Sequence, residues 1–473
     1  MERKKFLHIG ALFSGGLFSG ASFAGNGNAS SKNSTVSELI EDAKIDGSVF
    51  DYADKPIKKV RVVVIGLGNR GSTLVEMLSW LVRHDHAEIV GICDIQKDFI
   101  DRAAAKIKVF QKSTPLLIDG SSDEMAWKQL CNTEIADLVI IATPWRWHAP
   151  MATYAMEQGV HVATEVPMAY TASETLELIT TAERTQRHCI MLENCCYNGE
   201  ELFVLNMVKE GVFGDLTHAE CAYLHDLRQL LMDTKYYHQR WRLNHHLERD
   251  GNLYTTHGLG PVCMYMDILR GDNLSHLVSM SSNEAALSQA LRDSDDPVMN
   301  AVADKVKCGD VNTTLIKTEK GRSIMLQFDV HTGRPYSRLN KLCGSGATHY
   351  GYPSRLFIDH GASSGGWHNW EDKDGLKEYS DKYAHPMWNN LQEQISDNEQ
   401  GHGGMDFVMM YRLIRALNEG VSLDLNVYDG ALWSLVGALS EQSVAHGNER
   451  VNIPDISNGA WKTPRVHPVF REF

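Results

Sequence analysis

The run Val60-Arg61-Val62-Val63-Val64-Ile65 feeds into Gly66-Leu67-Gly68-Asn69-Arg70-Gly71, residue types and a spacing that can cradle a pyrophosphate. Gly66 permits a tight turn, Gly68 lets the backbone approach phosphate oxygens, and Gly71 lets the following helix pack closely on the strand. The phosphates then face a helix N-terminus, whose unpaired N–H groups and dipole favour negative charge. A second apolar run, 88–93, closes at Asp94, 23 residues after Gly71. A carboxylate there accepts hydrogen bonds from both ribose hydroxyls of NAD and repels the extra phosphate of NADP. The expected cofactor is therefore NAD, with Asp94 as its ribose clamp.

These residues need elements to carry them. From residue 58 strands and helices alternate: a strand to Ile65, helices over 72–83 and 97–107, a strand over 136–142, a helix over 149–158, a strand over 160–164, a helix over 173–186 and a strand over 189–192. Continuous apolar strands of this kind suit a parallel sheet buried on both faces. The pattern changes after Asp215, with strand-like segments at 216–223, 274–281, 311–318 and 323–332 and fewer helices between them. The expected fold is α/β: an N-terminal doubly wound Rossmann domain over 58–195, then an α+β domain over 196–473 built on a large, mainly antiparallel sheet, with the ligand in the crevice between them.

The amino-terminal residues read differently. In 1–31, Arg3, Lys4 and Lys5 precede a short, weakly apolar stretch that ends in Ala21-Ser22-Phe23-Ala24, the pattern of an export signal. Arg3-Lys4-Lys5-Phe6-Leu7 is similar to a twin-arginine motif with Lys for the second Arg, which implies delivery to the periplasm. The stretch is too short and too rich in Gly and Ser for a stable membrane span. Residues 32–57 read as a linker or arm, with one helical pattern at 36–43.

Composition narrows the partners. Lys and Arg number 46 against 60 Asp and Glu, a net charge of −14 that excludes a nucleic-acid partner. Nine cysteines with no C-x-x-C pair read as reduced core residues. The pairs His84-x-His86 and His245-His246 have no Cys or carboxylate set at ligand spacing beside them in the sequence, so no metal is expected. No G-x-S-x-G stands as an elbow between one of these strands and a helix, which disfavours a serine hydrolase.

Further chemistry lies where doubly wound sheets place ligand contacts, at the carboxyl ends of strands. Thr143-Pro144-Trp145-Arg146-Trp147-His148 follows one strand and Glu165-Val166-Pro167 another. Tyr254 and His257 are three apart and share a face if their segment is helical. His402, in a glycine-rich turn, either contacts the cofactor or caps a helix at Asp406.

Together these pieces resemble the glucose-fructose oxidoreductase, inositol dehydrogenase and rhizopine-catabolism superfamily, from about Lys58 to the C-terminus. That superfamily carries a lysine where this chain has Val166, and an Asp and a His where it has Thr256 and Gly260. Glu-Val-Pro, Tyr254-x-x-His257-Gly-Leu-Gly-Pro, Trp241-Arg242, Arg334-Pro335-Tyr336 and Gly401-His402-Gly403-Gly404-Met405-Asp406 resemble glycoside hydrolase family 109. That resemblance implies an NAD-dependent α-N-acetylgalactosaminidase. The sugar would be oxidised transiently at C3, lose its aglycone by elimination, take up water at C1 and be re-reduced, with a tightly held NAD recycled at each turnover. NAD-dependent enzymes are an exception to the two-carboxylate rule of glycosidases.

The same resemblance implies residue roles. Beyond Gly66, Leu67, Gly68, Asn69, Arg70, Gly71 and Asp94, the cofactor contacts would be Thr143, Pro144, Trp145, Trp147, His148, Glu165, Val166, Asn194 and His402. Tyr197, Tyr254 and His257 would be catalytic, and Arg242 and Tyr336 would bind the sugar together with Tyr197 and Tyr254. His257 or Tyr254 would take the C3 hydroxyl proton and Tyr197 the C2 proton. The partner would be a glycan or glycoside ending in N-acetylgalactosamine, and a homo-oligomer is expected by analogy. The alternative is a sugar or polyol dehydrogenase of the same superfamily, which the missing lysine at Val166 disfavours.

Overall fold

In the computed structural model, which describes residues 43–359, 368–397 and 402–473, the run before the glycine loop forms β1 (Val60–Ile65). It lies at the centre of a parallel sheet because Val62, Val63 and Val64 have no exposed surface. The chain continues through α1 (Asn69–Arg83), β2 (Ala87–Asp94), α2 (Lys97–Phe110), β3 (Leu116–Asp119), β4 (Leu138–Ile141), α3 (His148–Glu157), β5 (His161–Thr164), α4 (Ala172–Thr185) and β6 (Cys189–Met191). The strand order is β3-β2-β1-β4-β5-β6, all parallel, the doubly wound arrangement. The order reverses between β1 and β4, and the glycine loop sits at that switch point.

After α5 (Gly199–Lys209) comes the second sheet: β7 (Leu216–Leu224), β8 (Leu274–Ser281), β9 (Asn312–Thr318), β10 (Ser323–Asp329), β11 (Lys341–Gly344), β12 (Ala347–Tyr350), β13 (Arg355–Ile358) and β14 (Val451–Asn452). Its order is β13-β12-β11-β7-β10-β9-β8-β14, with β7 and β10 parallel and every other neighbouring pair antiparallel. Between β7 and β8 lie α6 (Trp241–Glu248) and α7 (Thr256–Tyr265), which carry the second domain's share of the site. The strand expected over 323–332 stops at Asp329, because the Asp329 carboxylate accepts the N–H groups of His331 and Thr332 at 3.0 Å and turns the chain.

Two helices from the far end, α8 (Met405–Glu419) and α9 (Val427–Ala445), return to the first domain and pack on α1 and α4. Phe407 meets Trp80 edge-on at 6.0 Å, and the Asn418 amide donates to the carbonyls of Ile57 (2.8 Å) and His86 (3.0 Å). The division at residue 195 is therefore not a clean spatial boundary.

Residues 43–57 are packed rather than a solvated linker. The N–H groups of Asp46 and Gly47 donate to the Glu183 carboxylate on α4, at 3.1 and 2.8 Å, and the Tyr428 hydroxyl of α9 donates to the same carboxylate at 2.6 Å. Phe50 stacks on Tyr428 at 5.5 Å and its carbonyl accepts from Asn426 at 2.9 Å. Asp54 pairs with Arg187 at 3.1 Å, and the Ile57 N–H reaches the Leu417 carbonyl at 3.0 Å. The expected export segment and all but the last residue of the helical pattern at 36–43 lie outside the described residues. Among the described residues no helix is long and apolar enough to cross a membrane.

Candidate active site

The glycine loop has the shape a pyrophosphate needs. Gly66 adopts φ +87°, and a Cβ there would sit 2.6 Å from the Ala142 carbonyl oxygen. A Cβ on Gly71 would stand 1.8 Å from the Gly66 oxygen, so α1 can start this close to the strand only with glycine. No side chain caps the N-terminus of α1, which leaves its first N–H groups for a ligand. At the end of β2 the Asp94 carboxylate accepts the N–H groups of Leu67 (2.6 Å) and Gln96 (2.8 Å), bracing the loop from the side where a ribose would lie. Burial pushes the Asp94 carboxyl up, against those hydrogen bonds. An open cradle, a bare helix N-terminus and an adjacent carboxylate fit a dinucleotide.

Beside the loop lies an ionic network. Arg70 donates from Nε to Glu165 at 2.6 Å and from Nη1 and Nη2 to Asp406 at 2.7 and 2.8 Å. Asn194 Nδ2 donates to Asp406 at 2.7 Å, and His402 Nδ1 lies 2.7 Å from the same carboxylate. Asp406 itself is fully buried. Burial would raise its carboxyl, but Arg70 and His402 together hold it well below the usual range. Arg70, Asn194 and His402, expected as separate cofactor contacts, thus converge on Asp406, which the sequence reading named only as the residue where His402 would cap a helix, and Glu165 pairs with the same Arg70. His402 remains largely exposed at the rim, and Gly401 beside it lies outside the described residues.

His148 requires a correction. Its ring is buried, with Nδ1 2.7 Å from the Pro167 carbonyl and Nε2 2.7 Å from the Thr143 carbonyl. Burial disfavours the charged ring, so one nitrogen donates to its carbonyl while the other only faces the second, and the side chain lies between the loops after β4 and β5. Thr143 and Pro144 lead from β4 into that turn, Trp147 is half-buried within it, and Val166 is buried just after β5.

The facing wall comes from α6, α7 and β7. Trp145 stacks with Tyr254 at 5.8 Å and meets Trp241 edge-on at 5.3 Å. Arg242 is enclosed by rings: its guanidinium carbon lies 4.7 Å from the Tyr254 centroid, 5.3 Å from Trp145, 5.4 Å from Tyr237 and 5.9 Å from Tyr223. Nη1 donates to the Tyr237 hydroxyl at 2.9 Å, while Nε and Nη2 are buried without a partner. A buried guanidinium stays charged, and unpaired buried donors mark a place for a polar ligand. His257 stands at the start of α7, with Nε2 3.5 Å from the Tyr254 hydroxyl and Nδ1 2.6 Å from Glu193. Burial pushes the Tyr254 phenol well above its usual value, and the Arg242 charge opposes that. Tyr336 lies at the mouth, edge-on to Tyr223 at 6.0 Å, its hydroxyl accepting from Arg338 at 3.0 Å.

Tyr197 is the second correction. It is only 2% exposed, and after burial the charges that act on its phenol include Asp424, Arg412 and Asp429 in the core. Tyr254 and Glu193 form the described hydrogen bonds to the His257 ring; Tyr197 does not. Tyr197 ends the short turn 194–197, which packs against both α7 and α8.

Glu193, Asp406 and Tyr223 went unnamed as site residues in the sequence reading. Glu193 could have been found, because it follows β6 as Asp94 ends β2 and Glu165 follows β5. The fold also brings His246 to Cys308 and His331, with ligand-type atoms within 4.8 Å of one another, a grouping the sequence separates by more than sixty residues. His246 Nδ1 and His331 Nε2 lie 3.0 Å apart and Asp310 accepts at His331 Nδ1, so the two histidines and Asp310 form an internal hydrogen-bond chain.

With the geometry in hand, the likenesses are specific. Residues 197–463 match the family model "Glycosyl hydrolase 109, C-terminal domain", and residues 60–193 match "Oxidoreductase family, NAD-binding Rossmann fold". Glycosyl hydrolase family 109 protein 1 of Shewanella sp. (strain ANA-3) is 43% identical over 91% of this chain and 92% of its own length. An α-N-acetylgalactosaminidase of Shewanella oneidensis is 42% identical, again over 91% of this chain and 92% of its own. Among solved structures, levoglucosan dehydrogenase in complex with NADH and L-sorbose superposes with a TM-score of 0.63 at 16% identity, covering 84% of this chain and all of that one, which shows the fold. The dinucleotide cradle, the Tyr–His–Arg wall that packs on Trp145, and these matches along nearly the whole chain lead to one assignment: the chain belongs to the glycosyl hydrolase 109 family, a glycoside hydrolase with NAD as its cofactor.

Proposed function

We propose that this enzyme releases terminal α-N-acetylgalactosamine from a glycan or glycoside by transient oxidation at C3, elimination of the aglycone, addition of water at C1 and re-reduction. The observation that carries the proposal is the buried Arg242 with two unpartnered nitrogens beside the Tyr254–His257 pair and the Trp145 ring. The name of the Shewanella oneidensis relative supports the sugar. Bound NAD supplies a reversible acceptor for the C3 hydrogen, and the transient ketone makes the C2 hydrogen acidic enough for the C1 aglycone to leave.

The protein's own groups supply the rest. Tyr254 takes the C3 hydroxyl proton while its own passes to His257 Nε2. Arg242 Nε and Nη2 bind the sugar and stabilise the negative charge that develops on the C3 oxygen, in a site where a preorganised donor acts at low dielectric. Once the C3 proton has moved, Tyr254 and His257 are both protonated, so the C2 proton needs an acceptor outside this pair. Tyr336 accepts from Arg338, which leaves its O–H free to donate to a substrate oxygen at the mouth. Trp145 and Tyr223 exclude water from the reacting face.

NAD held through a full cycle needs no second redox partner, which fits the proposed delivery of a folded, loaded protein to the periplasm by the amino-terminal 31 residues. The test is incubation of the purified protein with p-nitrophenyl α-N-acetylgalactosaminide without added NAD. Nitrophenol release with no accumulation of NADH is expected. No release after NAD reconstitution, or stoichiometric NADH with a free sugar, would overturn the reading in favour of inactivity on this sugar or a dehydrogenase. Arg242→Gln is expected to lower kcat about 100- to 1,000-fold, the effect of removing one oxyanion donor.

A further inference from the structure

Glu193 is fully buried, just past the carboxyl end of β6. A buried carboxylate needs a charged or hydrogen-bonding partner. Among the described residues its ion-pair partner is His257, whose Nδ1 lies 2.6 Å from Oε1, and the Cys195 N–H donates to the same oxygen at 3.1 Å. Burial alone would push this carboxyl up; His257 and the Cys195 N–H help hold it below the usual range.

Two further features show that the contact is built. Three residues past His257 on α7, a Cβ on Gly260 would stand 2.9 Å from Glu193 Cγ and 2.8 Å from Cys196 Sγ. The bare glycine is what lets the carboxylate lie under the helix and reach the histidine. On the other side of the imidazole, Nε2 faces the Tyr254 hydroxyl at 3.5 Å. A carboxylate can only accept, so Nδ1 carries the hydrogen, and in the neutral ring Nε2 presents its lone pair.

We propose that Glu193 is a positioning residue of the reaction: it fixes His257 in the Nδ1–H tautomer, so that Nε2 accepts the Tyr254 proton as the tyrosine oxygen takes the sugar's, and it accommodates the resulting imidazolium charge. The proton returns from Nε2 through Tyr254 when the sugar oxygen is re-protonated, so the relay ends as it began. The order Glu193–His257–Tyr254 runs from the core to the cleft, and Arg242 over the Tyr254 ring faces its outer end. Removing the carboxylate's charge while keeping its shape changes which nitrogen holds the hydrogen, as in other carboxylate–histidine pairs.

This inference rests on the proposed function for its kinetic arm but not for its spectroscopic one. Nitrogen-15 NMR of histidine-labelled holoenzyme is expected to show His257 with Nδ1 protonated and Nε2 bare, assigned by its absence in His257→Asn. In Glu193→Gln that tautomer is expected to be lost or mixed. On the p-nitrophenyl glycoside kcat is expected to fall about 100- to 10,000-fold with KM little changed, the split of an interaction made in the transition state. Glu193→Asp, which retains the charge, is expected to recover part of kcat and the tautomer, and it serves if the Gln variant does not fold. A wild-type enzyme inactive on this substrate would defeat the proposed function and leave the tautomer test standing. An unchanged tautomer in Glu193→Gln, or turnover equal to wild type, would overturn the positioning role and leave the proposed function intact.

Discussion

The pairing of Arg70 with Asp406 joins the cofactor loop to a helix 336 residues away, and a double-mutant cycle can weigh it. Asp406 is fully buried and accepts from Arg70 at 2.7 and 2.8 Å, from Asn194 at 2.7 Å and faces His402 at 2.7 Å. Charge-assisted hydrogen bonds contribute about 1.5–3 kcal/mol each, not additively. In Asp406→Ala, Glu165 retains its contact with Arg70, but the Asn194 amide and part of the guanidinium are left unpaired. The expected loss is about 3–5 kcal/mol, the range for breaking a buried pair by removing one partner. The cycle of Arg70→Ala, Asp406→Ala and the double variant should give a coupling energy of about 1–3 kcal/mol. Urea unfolding of each protein measures it.

Bound dinucleotide per chain provides a second readout, since Arg70 sits inside the glycine loop. The sign with pH follows from the depressed carboxyl of Asp406. Its stabilisation is complete above the unfolded value of about 3.9 and is lost as pH falls through the lower folded value, so Asp406→Asn should flatten the acid side of the stability curve below about pH 4. Single losses under about 1 kcal/mol with additive cycles and unchanged dinucleotide content would refute the reasoning.

Two other outcomes follow from contacts described above. Gly71→Ala places a methyl group 1.8 Å from the Gly66 oxygen, so α1 must shift; the purified variant is expected to lack NAD by absorbance and mass and to lose about 1–3 kcal/mol, and wild-type dinucleotide content would contradict this. Glu183→Ala removes the acceptor shared by Asp46, Gly47 and Tyr428; limited proteolysis within 43–57 is expected to accelerate as that segment undocks, by about 1–3 kcal/mol of lost protection, whereas an unchanged cleavage rate would show that the contacts of Phe50, Asp54 and Ile57 suffice to hold it.

The glycine loop and Asp94 were legible because their chemistry is local: a strand, a turn and a helix N-terminus are contiguous in sequence, and Gly66 and Gly71 are required by contacts within the unit or just past β4. Tyr254 and His257 were legible for the same reason, being neighbours on one short segment. The residues misread are those whose partners come from elsewhere. His148 follows a strand as a ligand residue would, yet its ring lies buried between the Pro167 and Thr143 carbonyls. Tyr197 follows another, yet it is buried in a turn that packs against α7 and α8. Asp406 and Glu193 carry charges whose meaning depends on Arg70 and His257, hundreds or tens of residues distant, and no periodicity encodes such a pair.

The docked segment 43–57 bears on the order in which the molecule is completed. Its contacts reach from Phe50 to Asn426 and from Ile57 to Leu417, so the surface that receives it does not exist until nearly the whole chain has been made and α9 has closed on α4. Contacts of such sequence separation form late, because loop closure must precede them. During synthesis this segment would therefore emerge well before the surface that receives it, and its burial marks a chain whose two domains have already met.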